Sequence, residues 1–261
     1  WSLKDWVRDN GTLVYEAAVE VMAVFGHIKA DEMALAYPMM LARADARLKA
    51  REHPAPASQS GLTHSDVTVH QCKQPYTKFF AVQEADISVP RFDDGQIHQV
   101  TRAAFLGTDA AMVLPYDPKT DRVLLVEQFR FGPFLRDDPN PWLIEPIAGR
   151  IDVGESPEMT AIREAKEEAG LLIRKLHKVH SGYVSPGVST EYFNLFVGIA
   201  NIGDDTAILG GLEAESEDIQ GHIFSFTDFF NLLQSGQLPV VPLALTGYWL
   251  ALNRNELRKN S

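Results

Sequence analysis

The stretch GRIDVGESPEMTAIREAKEEAGL, residues 149–171, constrains the fold of this chain more than any other part of it. Ser156 is suited to cap a helix at its start, Pro157 suits the first helical position, and Gly170 suits a left-handed exit. These local signals predict a short helix that begins and ends in loops.

The acidic residues of this helix have a spacing that matters for chemistry. Glu164, Glu167 and Glu168 stand at positions i, i+3 and i+4, so their side chains share one helical face. Three neighbouring carboxylates repel one another unless water, basic side chains or divalent cations compensate their charge. Hard oxygen ligands suit Mg²⁺ or Mn²⁺ better than zinc. An ordinary solvent-exposed helix face is the alternative interpretation.

The complete pattern decides between the two interpretations. It runs Gly149, five residues, Glu155, seven residues, Arg163-Glu164-Ala165, any residue, Glu167-Glu168, any residue, Gly170 and Leu171. This pattern resembles the signature of the Nudix hydrolases at every defined position.

The resemblance implies a role for each residue of the pattern. Glu164 and Glu168 would be the main metal ligands, Glu167 would assist, and the Ala148 carbonyl would join them. Arg163 would orient the glutamates through salt bridges, although a surface ion pair would satisfy the same geometry. The implied cofactor is Mg²⁺, with Mn²⁺ as a substitute.

Flanking segments resemble one subfamily, the ADP-ribose pyrophosphatases. They are LPYDP, LLVEQFR, PWLIEPIAGRIDVGE and SPGVSTE, and the last of them places Pro186 fifteen residues after Leu171. The resemblance implies hydrolysis of ADP-ribose to AMP and ribose 5-phosphate. Two alternatives stay open: a pyrophosphatase for GDP-mannose or another nucleotide sugar, and a nucleotide-sensing module without turnover.

Further roles follow from the subfamily resemblance. Substrate-binding positions are implied for Phe79, Arg102, Arg130, Glu145, Ser185 and Glu191. The arginines would hold the phosphates, because the guanidinium fork donates paired hydrogen bonds; either could instead be a structural ion-pair partner. Glu145 and Glu191 would arrange metal or the terminal ribose. Phe79 would stack on adenine from a partner subunit, or be a core residue.

The catalytic base is expected in the acidic run EAESEDI, which resembles the mobile catalytic loop of the subfamily. Glu215 matches the base best and Glu217 is the second choice. A base at this position would remove a proton from the attacking water.

The chain is predicted to have three parts. Residues 1–52 form a helical segment, 53–65 a linker rich in Pro, Ala and Ser, and 66–261 a Nudix domain. A helix should follow a cap at Thr12, and Pro38 should break or kink the next one near Tyr37. The predicted fold class is α+β: an αβα sandwich with a mixed sheet, preceded by a small helical segment. The arrangement resembles the Nudix part of tellurite-resistance-type fusion proteins, and a chain that begins at Trp1 suggests a piece of a longer one.

The composition limits the classes of molecule that this chain is expected to bind. A net charge of −11 argues against a broad nucleic-acid-binding surface. No apolar run approaches the roughly 20 residues that span a bilayer, so no membrane partner is expected. The single cysteine, Cys72, fits the reducing cytoplasm. We therefore expect a small nucleotide diphosphate as substrate, and the subfamily resemblance implies a homodimer formed through the strands around Tyr76 to Val100.

Overall fold

The computed structural model describes residues 1–93, 95–204, 206, 209–211 and 217–259. The chain forms two compact units. The first holds residues 1–109, 152–154 and 183–192, and the second holds 110–151, 155–182 and 193–261. Within the described ranges, no helix is both long enough and apolar enough to cross a membrane.

The first unit combines two helices with a small sheet. The helices are α1 (Leu3–Ala23) and α2 (Ala30–Glu52), and a 3₁₀ turn follows at His64–Asp66. The sheet contains β1 (Thr68–Thr77), β2 (Ala81–Pro90) and β3 (Ile97–Leu106) in the order β1-β2-β3, with both pairs antiparallel. Residues 53–63 contain neither helix nor strand. The domain boundaries drawn from the sequence stay a prediction.

The expected start of the first helix and the expected break in the second were wrong. The first helix does not begin after Thr12; it begins at Leu3, where the Ser2 hydroxyl accepts a hydrogen bond from the Asp5 amide at 3.4 Å. The second helix continues without a break through Pro38. An interior proline costs about 3 kcal/mol, because it removes one helical hydrogen bond and crowds the preceding turn. Burial of the apolar residues Ala36 and Met40, on either side of Pro38, offsets that cost.

A buried ion pair joins the two helices. Arg43 on α2 donates from Nε to Glu20 Oε1 on α1 at 2.9 Å, and the two side chains are 1% and 4% exposed. Arg47 adds a longer contact to the other oxygen of Glu20, at 3.4 Å. The Arg43 guanidinium also reaches the carbonyl of Phe79 at 3.4 Å. The network therefore ties both helices to the turn between β1 and β2.

The second unit contains the remaining elements. They are β4 (Ala110–Asp117), β5 (Arg122–Phe129), α3 (Phe131–Leu135), β6 (Trp142–Glu145), β7 (Ile147–Arg150), α4 (Pro157–Ala169), β8 (Lys175–Tyr183), β9 (Tyr192–Ile199), β10 (Leu209–Gly210), β11 (Ile219–Ser225), α5 (Phe226–Gln234) and α6 (Val241–Lys259). In the described part of the chain, eight strands form one sheet in the order β10-β11-β5-β4-β9-β8, with β6 beside β5 and β7 beside β4. The β4–β9 pair is parallel and the β4–β5 pair is antiparallel, so the sheet is mixed as expected.

The two faces of this sheet carry different helices. Along β5, Leu124 and Val126 point into a core shared with Ala161 and Ala165 of α4. The alternate residues Val123 and Leu125 point into a second core shared with α5 and α6. This alternation is what a strand buried on both faces requires. It confirms the αβα sandwich, with α4 on one face and α5 and α6 on the other.

Candidate active site

Helix α4 begins and ends where the sequence predicts. The Ser156 hydroxyl accepts a hydrogen bond from the Met159 amide at 3.2 Å, and Pro157 is the first helical residue. Gly170 ends the helix in the left-handed region, at φ 63°. Its apolar face, which includes Ala161 and Ala165, is buried against the sheet. The apolar face thereby fixes the rotation of the helix and the direction in which the acidic face points.

Arg163 organises the acidic face of α4. Its Nη1 atom donates to Glu164 Oε1 at 2.7 Å and to Glu167 Oε2 at 3.0 Å. Its Nε and Nη2 atoms donate to the two oxygens of Glu155, each at 3.0 Å. Thr160 adds a hydrogen bond to Glu155 Oε2 at 2.7 Å. The hydrogen bond to Glu155 is the main reason why the pKa of Arg163 is raised, and the guanidinium stays charged.

Glu155 had no role in the sequence-based interpretation beyond its place in the pattern. The structure shows that its carboxylate anchors Arg163, which in turn holds two glutamates of α4. Its fixed position in the pattern, eight residues before Arg163, was the signal that could have revealed this pairing.

Glu168 is the most buried carboxylate of the helix. It is 3% exposed, and its Oε2 atom has no hydrogen-bond partner among the described residues. Burial raises its pKa to about 9, with the nearby charges of Glu164 and Glu217 adding to the effect and Arg130 opposing it. A backbone hydrogen bond from Ala148 also favours its charged form. An unpartnered buried oxygen is costly, so it calls for a ligand.

The pKa of Glu164 is raised as well. Burial is the main cause, Arg163 opposes it, and the charges of Glu167 and Glu217 add to it. Glu217 therefore lies close enough to influence both Glu164 and Glu168. Glu217 is the second choice for the catalytic base. Glu215, the first choice, lies outside the described residues.

Two glycines allow close packing around these carboxylates. A Cβ atom on Gly149, in β7, would lie 1.7 Å from Glu164 Oε1. A Cβ atom on Gly210, in β10, would lie 1.7 Å from the backbone oxygen of Glu168. Side chains at either position would collide with the acidic helix, so the absence of Cβ atoms makes room for Glu164 and for the close approach of β10.

Arg130 and Glu145 form a pair at the edge of the sheet. The Arg130 Nε atom donates to Glu145 Oε2 at 2.7 Å, and Nη2 lies 2.6 Å from the same oxygen. Glu145 is 9% exposed at its side chain, whereas Arg130 is 39% exposed. The arginine is thus held on one side and accessible on the other, and it acts electrostatically on Glu168.

The other four candidates belong to the first unit. Arg102 lies exposed on β3 and donates from Nη1 to the Thr101 carbonyl at 3.0 Å. Phe79 is 49% exposed and packs edge-on against Phe80, at a centroid distance of 4.7 Å. Glu191 accepts a hydrogen bond from Ser189 at 3.2 Å.

Ser185 accepts hydrogen bonds through its carbonyl from the amides of Val188 and Ser189. The structure thus places these four candidates in the first unit. The second unit contains the remaining ones, which are Arg130, Glu145, Ala148, Arg163, Glu164, Glu167, Glu168 and Glu217. The roles assigned to all of them stay predictions.

The donors of α4 fit a hard divalent cation. Glu168 offers a buried oxygen without a partner, and Glu164 and Glu167 add carboxylate oxygens on the same face. Across the residues that the structure describes, no group of three Asp, Glu, His or Cys side chains is arranged to hold a metal ion as it stands. Arg163 holds the carboxylates of Glu164 and Glu167 in ion pairs.

A family comparison agrees with the geometry. The model of the NUDIX domain matches residues 107–243, which is more than half of the chain. The chain belongs to the NUDIX family. The NUDIX match contains all of α4, the strands that carry Glu145 and Ala148, and Arg130 directly after β5.

Three relatives of this NUDIX protein each match more than half of its length. The ADP-ribose pyrophosphatase of Haemophilus influenzae is 34% identical over 201 residues, which are 76% of this chain and 92% of the relative. The ADP-ribose pyrophosphatase of Escherichia coli K12 is 33% identical over 194 residues, with 74% and 92% covered. A GDP-mannose pyrophosphatase of Escherichia coli O139:H28 is 30% identical over 145 residues, with 56% and 74% covered.

A solved structure shares the fold. It is described as an ADP compounds hydrolase and aligns with a TM-score of 0.54 at 19% sequence identity, over 76% of this chain and 99% of that one. At this identity the likeness supports the fold alone.

Proposed function

We propose that this NUDIX hydrolase cleaves the diphosphate of ADP-ribose, with water, to AMP and ribose 5-phosphate. The observation that carries the proposal is the long match to two ADP-ribose pyrophosphatases, which extends over 92% of each relative. The acidic face of α4, with Arg130 electrostatically coupled to it, supplies chemistry suited to a diphosphate.

Mg²⁺ is the proposed cofactor, with Mn²⁺ as a substitute. Glu164 and Glu168 would hold it, with help from Glu167 and the Ala148 carbonyl. When bound, such an ion neutralises phosphate charge and makes an attacking water more acidic. The unpartnered Glu168 oxygen supports this assignment.

The residues around the cation have separate proposed tasks. Arg163 keeps Glu164 and Glu167 in position, because the buried side of its guanidinium is fixed by Glu155. Arg130 presents its exposed guanidinium side to the phosphates, because Glu145 occupies the other side. A glutamate of the 213–217 run, Glu215 or Glu217, takes the proton from water. Arg102, Ser185, Glu191 and Phe79 are proposed to contact the rest of the substrate.

The test compares substrates directly. The protein is incubated with ADP-ribose and, separately, with GDP-mannose at equal concentration, with Mg²⁺ and with a chelator, and the products are separated by chromatography. We expect AMP and ribose 5-phosphate from ADP-ribose with Mg²⁺ only. Glu168→Gln, which keeps the size of the side chain and removes its charge, should lower this activity by at least about 100-fold.

The same experiment decides between the alternatives. Faster turnover of GDP-mannose would replace the proposal with the second candidate, which the 30% identical GDP-mannose pyrophosphatase favours. Unchanged ADP-ribose with excess Mg²⁺ would favour a sensing module, although Glu164, Glu167 and Glu168 are all present.

We also propose a homodimer formed through the strands around Tyr76 to Val100, and a cytoplasmic location. The dimer is supported by the subfamily resemblance, and the location is supported by the single cysteine, Cys72. Light scattering after size-exclusion chromatography tests the dimer. A mass of 29.0 kDa, that of one chain, would contradict it.

A further inference from the structure

A cavity of about 390 Å³ lies in the second unit, away from the acidic helix. Its walls come from the start of β8 and from the last three turns of α6. Trp249 and Leu257 in these walls belong to the core on the α5 and α6 side of the sheet. Because α4 packs on the opposite face, the cavity shares no lining residue with the acidic helix.

One wall of the cavity is basic. Arg174, Lys175 and His177 line it within four consecutive positions of the sequence. Across the described residues, neither Arg174 nor Lys175 forms an ion pair, and both side chains are exposed. Arg163, Arg130 and Arg43 are all paired with carboxylates in this chain of net charge −11. Two unpaired cations at one cavity are therefore available to an anion, and phosphate oxygens suit them.

The α6 side of the cavity offers an aromatic surface and polar atoms. Trp249, Asn253 and Glu256 follow one another at four and three residues on α6, so they share a helical face. The half-buried Trp249 ring lies 6.1 Å from the His177 ring, between centroids. Asn253 Nδ2 donates to the Trp249 carbonyl at 2.8 Å, which directs the amide and leaves its Oδ1 atom as an acceptor.

The two walls are complementary to one class of ligand. A cation pair suits a phosphate, while an indole face suits a planar ring, because rings stack on aromatic side chains. The volume falls within the range of about 300–1,000 Å³ that is usual for small-molecule sites. Glu256 also lines the cavity and is exposed, so its carboxylate opposes a bare polyanion and can accept hydrogen bonds from amino or hydroxyl groups.

We propose that this cavity is a second ligand site, separate from α4, which binds a small phosphorylated molecule with a planar ring, the class that includes nucleoside monophosphates. Arg174 and Lys175 bind the phosphate, Trp249 stacks on the ring, and Asn253 accepts a hydrogen bond from it. The site requires neither a metal ion nor turnover.

Calorimetric titration of AMP into the full chain, with a chelator present, tests the proposal. Arg174→Glu and Lys175→Glu should each weaken AMP binding by at least 10-fold. Lys178→Glu is the matched control, because Lys178 is exposed on the same strand, does not line the cavity and changes the net charge equally. It should leave the affinity within a factor of about two. Thermal melting confirms that each variant is folded.

Fluorescence locates the ligand on the ring of Trp249. AMP should quench the emission of the native protein, and Trp249→Phe should abolish the quench while it keeps AMP binding within about threefold, because phenylalanine still stacks. Adenosine and inorganic phosphate should each bind at least 10-fold more weakly than AMP. The proposal is overturned if AMP does not bind the metal-free protein, if Lys178→Glu weakens binding as much as Arg174→Glu, or if the quench persists in Trp249→Phe.

Discussion

Replacing Gly149 with alanine tests whether the absence of a side chain at this position makes room for Glu164. A Cβ atom at this position would lie 1.7, 2.1 and 2.6 Å from the Oε1, Cδ and Cγ atoms of Glu164. Real Cβ contacts are almost never shorter than 3.0 Å, so the Oε1 atom must move by more than about 1 Å. Gly149 is not among the residues with positive φ, so alanine is compatible with the backbone itself. The substitution therefore acts through the Glu164 side chain.

The size of the effect follows from the displacement. A shift of about 1 Å in a group that positions a reacting centre can reduce the rate by about 100-fold, which corresponds to about 2.7 kcal/mol. We expect kcat/KM for ADP-ribose to fall by about this factor in Gly149→Ala. The fold should survive, because a side chain can rotate away and Arg163 keeps its bonds to Glu155 and Glu167.

A double-mutant cycle makes the test specific. Initial rates are measured for Gly149→Ala, Glu164→Gln and the double variant, with Gly182→Ala as the control. A Cβ atom on Gly182 would meet nothing closer than 3.4 Å, so the control should retain full activity. If Gly149 acts only through Glu164, the double variant is no slower than the slower single variant. The reasoning is refuted if the rate losses of the two single variants multiply in the double variant, or if Gly149→Ala is fully active.

Three further predictions concern nearby or buried groups. Gly210→Ala places a Cβ atom 1.7 Å from the backbone oxygen of Glu168, which cannot rotate away. Both kcat and the free energy of unfolding should therefore fall, the latter by about 1–3 kcal/mol in urea unfolding. Unchanged values would contradict the contact. Burial raises the pKa of Glu168 in the folded protein to about 9, well above the ordinary value of a glutamate, so the folded metal-free protein binds an extra proton between these two values and loses stability as pH rises through them. Calorimetry with a chelator should show a decline of at most about 1.4 kcal/mol per pH unit, and Glu168→Gln should remove that component; an identical pH profile in the variant would count against it. Arg43→Met leaves the buried Glu20 charge without its main partner and should lower the free energy of unfolding by about 3–5 kcal/mol. Adding Glu20→Leu should recover part of that loss. Equal stability of the single variant and the native protein would show that the pair is not essential.

Local signals in the sequence predicted the acidic helix well. Ser156, Pro157 and Gly170 act within one or two turns, so their effect does not depend on the rest of the fold. The αβα sandwich was predicted as well, and the structure places helices on both faces of the mixed sheet.

The sequence alone did not predict which distant residues pair in the folded protein. Arg130 meets Glu145 only because β5 and β6 pair in a register set by the whole sheet. Pro38 was expected to interrupt α2, but the packing of Ala36 and Met40 depends on a second helix that local propensity does not consider. Glu217 acts electrostatically on Glu168 although the two residues are 49 positions apart, and no local signal connects them.

The lone Glu168 oxygen has a consequence for how long the protein persists in a cell. A cation that occupies this oxygen in the folded chain, and finds no comparable place in the unfolded one, shifts the folding equilibrium by mass action. Depletion of divalent ions would then increase the unfolded fraction exposed to proteases, in addition to halting turnover. The abundance of the protein would thus depend on the concentration of the divalent ion, even though the reaction does not consume that ion.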